Sequence, residues 1–168
     1  MSRMSIASIL KRRLRGKVVI AGIGNRECSD DGIGVFLVEK LLPSDSFKPI
    51  LVFDSAEFHL SEILEENPDV VMFVDTAELG SPPGSVAIIE RSELSTAWGN
   101  THQPPLSVII SYVSGQTGAD TFLLGIQPEG IAPGNHLSHS VERTVKLMSD
   151  LINEIATKSA RAVTGEIP

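Results

Sequence analysis

Five short, almost wholly apolar runs recur along this chain, and helical patterns or tight turns separate them. Residues 17–23 hold Val18-Val19-Ile20-Ala21, and Ile50-Leu51-Val52-Phe53 and Val70-Val71-Met72-Phe73-Val74 follow. Residues 85–89 and Thr121-Phe122-Leu123-Leu124-Gly125-Ile126 complete the set. A strand with one wet face alternates apolar and polar residues, whereas a strand covered on both faces is apolar throughout. The runs therefore predict a sheet buried on both sides.

What lies between them supplies the covering layers. Ile33, Phe36, Leu37 and Leu41 predict a helix over 31–42, with Pro43 just past its end. Leu60, Ile63 and Leu64 predict a second over 58–66, stopped by Pro68. Pro104 and Pro105 suit the first turn of a third over 105–114, and a fourth is expected over 138–158. The fourth strand follows the third across Gly80-Ser81-Pro82-Pro83-Gly84, which is too short for a helical crossover, so that strand is expected to run antiparallel. The expectation is a single three-layer α/β/α domain over 17–158, with a mostly parallel five-stranded sheet and one antiparallel strand. Residues 1–16 read as a basic extension, a solvated helix or loose tail, and 159–168 as a flexible tail.

Charge narrows the partners. Arg3, Lys11, Arg12, Arg13, Arg15 and Lys17 precede the first acid, Glu27, and the rest carries eight bases against all 21 acids. An acidic body is unsuited to tracking the phosphates of nucleic acid. No apolar stretch approaches the roughly 20 residues that cross a bilayer. The apolar run after Lys17 is too short for a signal-peptide core. The lone Cys28 excludes an internal disulfide and fits a reducing cytoplasm, the expected location.

The chemistry-bearing residues gather after the strands. Gly22-Ile23-Gly24 follows the first strand, but Glu27 stands where a dinucleotide fingerprint needs a third small residue, so no nucleotide is expected. Asp30 and Asp31 lie where that strand hands over to a helix. One aspartate suffices to cap a helix start, which leaves the second available for other work. Asp75 ends the most apolar strand, where a carboxylate is costly to bury unless paired or ligated. Asp54, after the second strand, suits a turn cap. His102 precedes the third helix at the same edge of the sheet. Two carboxylates and an imidazole suit a divalent metal with open positions. His59, His136 and His139 read as surface or capping residues, and nothing near Cys28 supports a thiol nucleophile.

Taken in order, these segments resemble the [NiFe]-hydrogenase maturation endopeptidases. The likeness rests on Gly22-x-Gly24-Asn25-x4-Asp30-Asp31-Gly32-x-Gly34, Phe73-Val74-Asp75-Thr76-Ala77 with Pro83-Gly84, Thr101-His102-Gln103-Pro104-Pro105-Leu106, and Gly125-Ile126-Gln127-Pro128-Glu129 with Leu137-Ser138. It runs from about residue 17 to 155. It implies a cytoplasmic endopeptidase that removes the C-terminal extension of a hydrogenase large-subunit precursor after nickel insertion.

The resemblance also implies that Asp31, Asp75 and His102 contact a divalent metal, with the nickel of the precursor as the natural ligand. Asp30 is left as the cap or structural acid, and Asn25 as an orienting neighbour. The glycines then read as giving a bulky polypeptide access to Asp31. Two departures stand out: Glu27, where the family is more often apolar, and Asp54-Ser55-Ala56-Glu57 in place of a Gly-Gly-Thr or Gly-Thr type of segment.

The same three residues would serve a non-enzymatic metal-binding or assembly factor. A His-Glu-x-x-His helix and a Gly-x-Ser-x-Gly elbow are both absent, which sets aside an ordinary zinc protease and a serine hydrolase. A transient encounter with a large precursor suits a monomer.

Overall fold

The computed structural model describes residues 5–53, 56–94 and 105–164, and among them the expected strands all form. In chain order the elements are α1 (Ile6–Arg13), β1 (Val18–Ile23), a 3₁₀ turn (Ser29–Gly32), α2 (Ile33–Val38), β2 (Phe47–Phe53), α3 (Leu60–Glu65), β3 (Val70–Thr76), β4 (Val86–Glu90), α4 (Leu106–Thr117), β5 (Asp120–Ile126) and α5 (His139–Thr164). The sheet order is β2-β1-β3-β5-β4. Four strands are parallel, and β4 pairs antiparallel with β5 at the edge. Here the fold agrees with the sequence expectation.

Alternate side chains of the central strands feed two separate cores. Val18 and Ile20 of β1, Val70, Met72 and Val74 of β3, and Phe122 and Leu124 of β5 pack with Leu37 of α2 and with Val141, Val145 and Ile152 of α5. Val19, Ala21, Val71, Phe73 and Leu123 pack instead with Ile63 of α3 and with Ile109, Ile110 and Val113 of α4. This two-sided burial is why the runs lack polar alternation.

Several boundaries differ from the expected ones, each for a physical reason. The helix expected over 31–42 is a 3₁₀ turn followed by a six-residue α2, because the chain must enter over two close glycine contacts described below. β2 starts at Phe47 rather than Ile50; it is an edge strand, where Pro49 forfeits no inner ladder bond. α4 ends in Gly118 at φ 71°, the left-handed conformation that glycine adopts freely. α5 runs on to Thr164, beyond the expected 158, with Ser159 and Ala160 still half-buried.

The basic N-terminal segment is neither loose nor fully solvated where it is described. Ser5 caps α1 by accepting from Ser8 N at 3.2 Å, and Leu10 and Leu14 are buried in the α5-side core. Its cations hide this, because the apolar stripe is only one side chain per turn. Arg13 reaches under the sheet, donating from Nε to Asp120 Oδ2 at 2.8 Å and pairing with Glu90, while its guanidinium lies 3.8 Å over the Phe122 ring. Among the described residues no helix is long and apolar enough to cross a membrane.

Candidate active site

β1 and β3 lie side by side in register, Gly22 opposite Val74. From β1 the chain passes to β2 on one side, and from β2 it crosses back to β3 on the other. The connections therefore diverge above the carboxyl ends of β1 and β3, which opens a crevice at that point in sheets of this kind. The turn after β1 carries Asp30 and Asp31, and the end of β3 carries Asp75.

The glycines are what let the turn sit so low. A Cβ on Gly34 would collide with the carbonyls of Val74 and Ile23, and one on Gly22 with the carbonyl of Gly34. Gly24, at φ 141°, has the carbonyl of Asp31 against it. These glycines thus seat the turn and α2 directly on β1 and β3, which corrects the expectation that they clear space for a polypeptide substrate.

The two adjacent acids have separate roles. Asp30 is fully buried. Its Oδ1 accepts from Ser138 N at 2.7 Å, and its Oδ2 accepts from Ser138 Oγ and Glu129 N, both at 2.8 Å, and from Gly130 N at 3.4 Å. Asp30 thus anchors Ser138, the residue that leads into α5, and ties the 127–138 segment to the turn. The neighbouring backbone reinforces this, with Ser29 N donating to Gly134 O at 2.7 Å and Gly134 N to Glu27 O at 2.8 Å. Asp31 is half-buried, and its Oδ2 accepts from Asn25 N at 3.3 Å. The Asn25 side chain folds the same turn by accepting from Glu27 N at 2.9 Å.

Asp75 faces this turn from the end of β3. Burial, above all, pushes its carboxyl up to a pKa of about 7, the charge of Asp31 adds to the rise, and hydrogen bonds from Thr76 oppose it. The principal bond is from Thr76 N to Oδ1 at 2.7 Å. Asp31 and Asp75 are thus within electrostatic reach of each other.

His102, the third expected metal contact, lies outside the described residues, as does Asp54. What is described is that α4 begins at Leu106 and ends two residues before β5, so it runs opposite to β5 and starts toward the carboxyl edge. Among the described residues no group of three His, Cys, Asp or Glu is placed to hold a metal. Asp31 and Asp75 offer oxygen donors for two positions. His136 and His139 are exposed, and His59 Nδ1 lies 3.3 Å from Glu62 Oε2 on the surface. Cys28 contributes its carbonyl, which accepts from Asp31 N at 3.1 Å.

Gln127 stands in the sequence reading only as part of the Gly125-Ile126-Gln127-Pro128-Glu129 segment, with no role of its own. It is buried just beyond β5, its Oε1 accepts from Leu79 N at 2.7 Å, and its Nε2 donates to Glu78 Oε2 at 3.2 Å. The available signal was a polar amide directly after a wholly apolar strand, where burial demands a partner.

The family description "Hydrogenase maturation protease" matches residues 35–155. The chain belongs to the hydrogenase maturation proteases. Its resemblance to the crystal structure of the [NiFe] hydrogenase maturation protease HycI from Thermococcus kodakarensis has a TM-score of 0.81 at 29% identity, covering 88% of this chain and 98% of that one. The solution structure of the endopeptidase HycI from Escherichia coli matches with a TM-score of 0.73 at 25% identity, over 82% and 90%. The hydrogenase 3 maturation protease of Escherichia coli K12 is 30% identical over 114 residues, 66% of this chain and 72% of that one. In this maturation protease, then, the acidic turn and the end of β3 face each other at the carboxyl edge of the sheet.

Proposed function

We propose that this protease removes the C-terminal extension of a [NiFe]-hydrogenase large-subunit precursor after nickel insertion, in the cytoplasm and as a monomer. The observation that carries the reading is the pair Asp31 and Asp75 at one crevice, with Asp75 raised to about 7. Two carboxylates set against each other in that way are stabilised by a cation between them. Nickel already held by the precursor is that cation, and His102 is the third contact. The requirement for a loaded precursor follows: the crevice is completed by the substrate's own metal.

In the cleavage step a water attacks the scissile carbonyl, and the precursor's nickel supplies electrophilic assistance by polarising bound oxygen. Asp31, held by Asn25 N, and Asp75, held by Thr76 N, fix where that ion sits. Binding the ion displaces the proton that metal-free Asp75 carries near neutral pH, so Asp75 enters the cleavage step as a carboxylate, and the proton released by the water passes to the leaving amine.

Incubation with nickel-loaded and nickel-free precursor tests this reading. Shortening of the loaded chain alone is expected, and Asp31→Ala, Asp75→Ala and His102→Ala are expected to abolish it while remaining folded. Cleavage by Asp31→Ala at the wild-type rate would refute the assignment. Association with the loaded precursor without any shortening would identify an assembly factor instead.

A further inference from the structure

From the hydrogen bonds around it, we infer that Gln127 is a positioning residue for the cleavage reaction: it locks the segment that leaves Asp75 against the segment that Asp30 holds. The inference rests on the proposed function for its consequence but not for its geometry.

Gln127 engages the loop between β3 and β4 through both its backbone and its side chain. Its backbone N donates to Ser85 O and its carbonyl accepts from Gly84 N, both at 2.9 Å, which holds the returning limb. Its side chain holds the outgoing limb through Leu79 N and Glu78 Oε2. The returning limb is also fastened to α5, where Thr144 Oγ1 donates to Gly84 O at 2.7 Å. Two and three residues beyond Gln127, Glu129 N and Gly130 N donate to Asp30. The loops carrying Asp31 and Asp75 are therefore joined through the segment after β5, with Asp30 at one junction and Gln127 at the other.

A buried amide suits this junction because it both accepts and donates. Oε1 satisfies the Leu79 amide, and Nε2 donates both to the Glu78 carboxylate, three residues past Asp75, and to Pro128 O at 3.3 Å. A carboxylate at 127 could still accept from Leu79 but would oppose Glu78. Buried polar networks that are wholly satisfied hold one geometry, and partly satisfied ones release it.

Reciprocal exchange of the pair provides the test. Gln127→Glu is expected to lower kcat/KM on the nickel-loaded precursor about tenfold, and Glu78→Gln added to it should restore most of that loss, as coupled neighbours do. In the double variant the carboxylate introduced at position 127 accepts both from Leu79 N and from the amide introduced at position 78, which recreates the link to the outgoing limb with its polarity reversed and forgoes only the bond to Pro128 O. Hydrogen exchange at the Leu79 amide gives a second readout independent of activity: faster in Gln127→Glu, and slow again in the double variant. A Gln127→Glu enzyme that cleaves as wild type, or a double variant no better than the single, would overturn the inference. If the wild-type chain itself fails to shorten the precursor, it is the proposed function that fails. The inference is then judged by Leu79 exchange, and unchanged protection in Gln127→Glu would overturn it.

Discussion

The charge on Asp31 bears on Asp75 across the crevice, adding to the burial that lifts the Asp75 carboxyl to a pKa of about 7. Without a cation the site is therefore an electrostatic liability to the fold. The folded carboxyl keeps its proton where an unfolded one, titrating near 3.8, has already released it. The destabilisation is absent below about pH 4, grows as pH rises, and is complete above about pH 7. Asp75→Asn removes it and can still accept from Thr76 N. Thermal unfolding of the metal-free protein at pH 8 should show the variant more stable by about 1–3 kcal/mol, with the gain vanishing at pH 4. Equal stability of the two proteins at pH 8 would show that Asp75 is not raised.

The same pair makes divalent-ion binding depend on pH. An ion held by both carboxylates must displace the proton on Asp75, so affinity should rise about tenfold per pH unit below 7 and level off above it. Titration calorimetry with nickel at pH 6 and pH 8 measures this directly. Asp31→Asn should weaken binding and lower the apparent midpoint of Asp75, because its charge no longer opposes ionisation. A pH-independent affinity would separate Asp75 from the ion.

Asp30 and Asp31 are neighbours with opposite consequences when removed. Asp30→Ala leaves Ser138 N, Ser138 Oγ and Glu129 N without their buried acceptor, at a cost of about 3 kcal/mol or more. Scanning fluorimetry should show a fall in Tm of about 10 °C. Asp31→Ala should leave Tm within a few degrees while abolishing cleavage. A larger drop for Asp31→Ala than for Asp30→Ala would reverse these roles.

That division of labour marks where sequence reading succeeds and stops. β1 and β3 are legible because burial on both faces leaves no polar position in the run, and Asp75 is legible as a carboxylate closing such a run. The turn is legible as a strand-to-helix junction, hence its place at the carboxyl edge. What distinguishes Asp30 is invisible locally, because its partners lie 99 to 108 residues away. Gln127 is hidden in the same way, since the loop that it fastens precedes it by 48 residues. α1 is masked by its own cations, which outnumber the two leucines that bury it. The glycines around Asp31 signal a close approach, but only the packing shows that the approaching group is the chain's own backbone.

Gly34 lies between the Val74 carbonyl and the backbone of Ile23, so an added methyl cannot be absorbed by moving a side chain. Gly34→Ala must lift α2 off β1 and β3, opening the core around Ile33 and Leu37 and displacing Asp31. The cost should be about 3 kcal/mol or more, comparable to overpacking a core that cannot give way. Gly115 is the matching control: it is exposed in α4 with nothing within 4 Å of an added Cβ. Gly115→Ala should stabilise by about 0.5–1 kcal/mol, because alanine loses less backbone freedom on entering a helix. Urea unfolding of the two variants measures both effects on one scale. A Gly34→Ala protein as stable as wild type would show that α2 does not seat against the strands through that glycine.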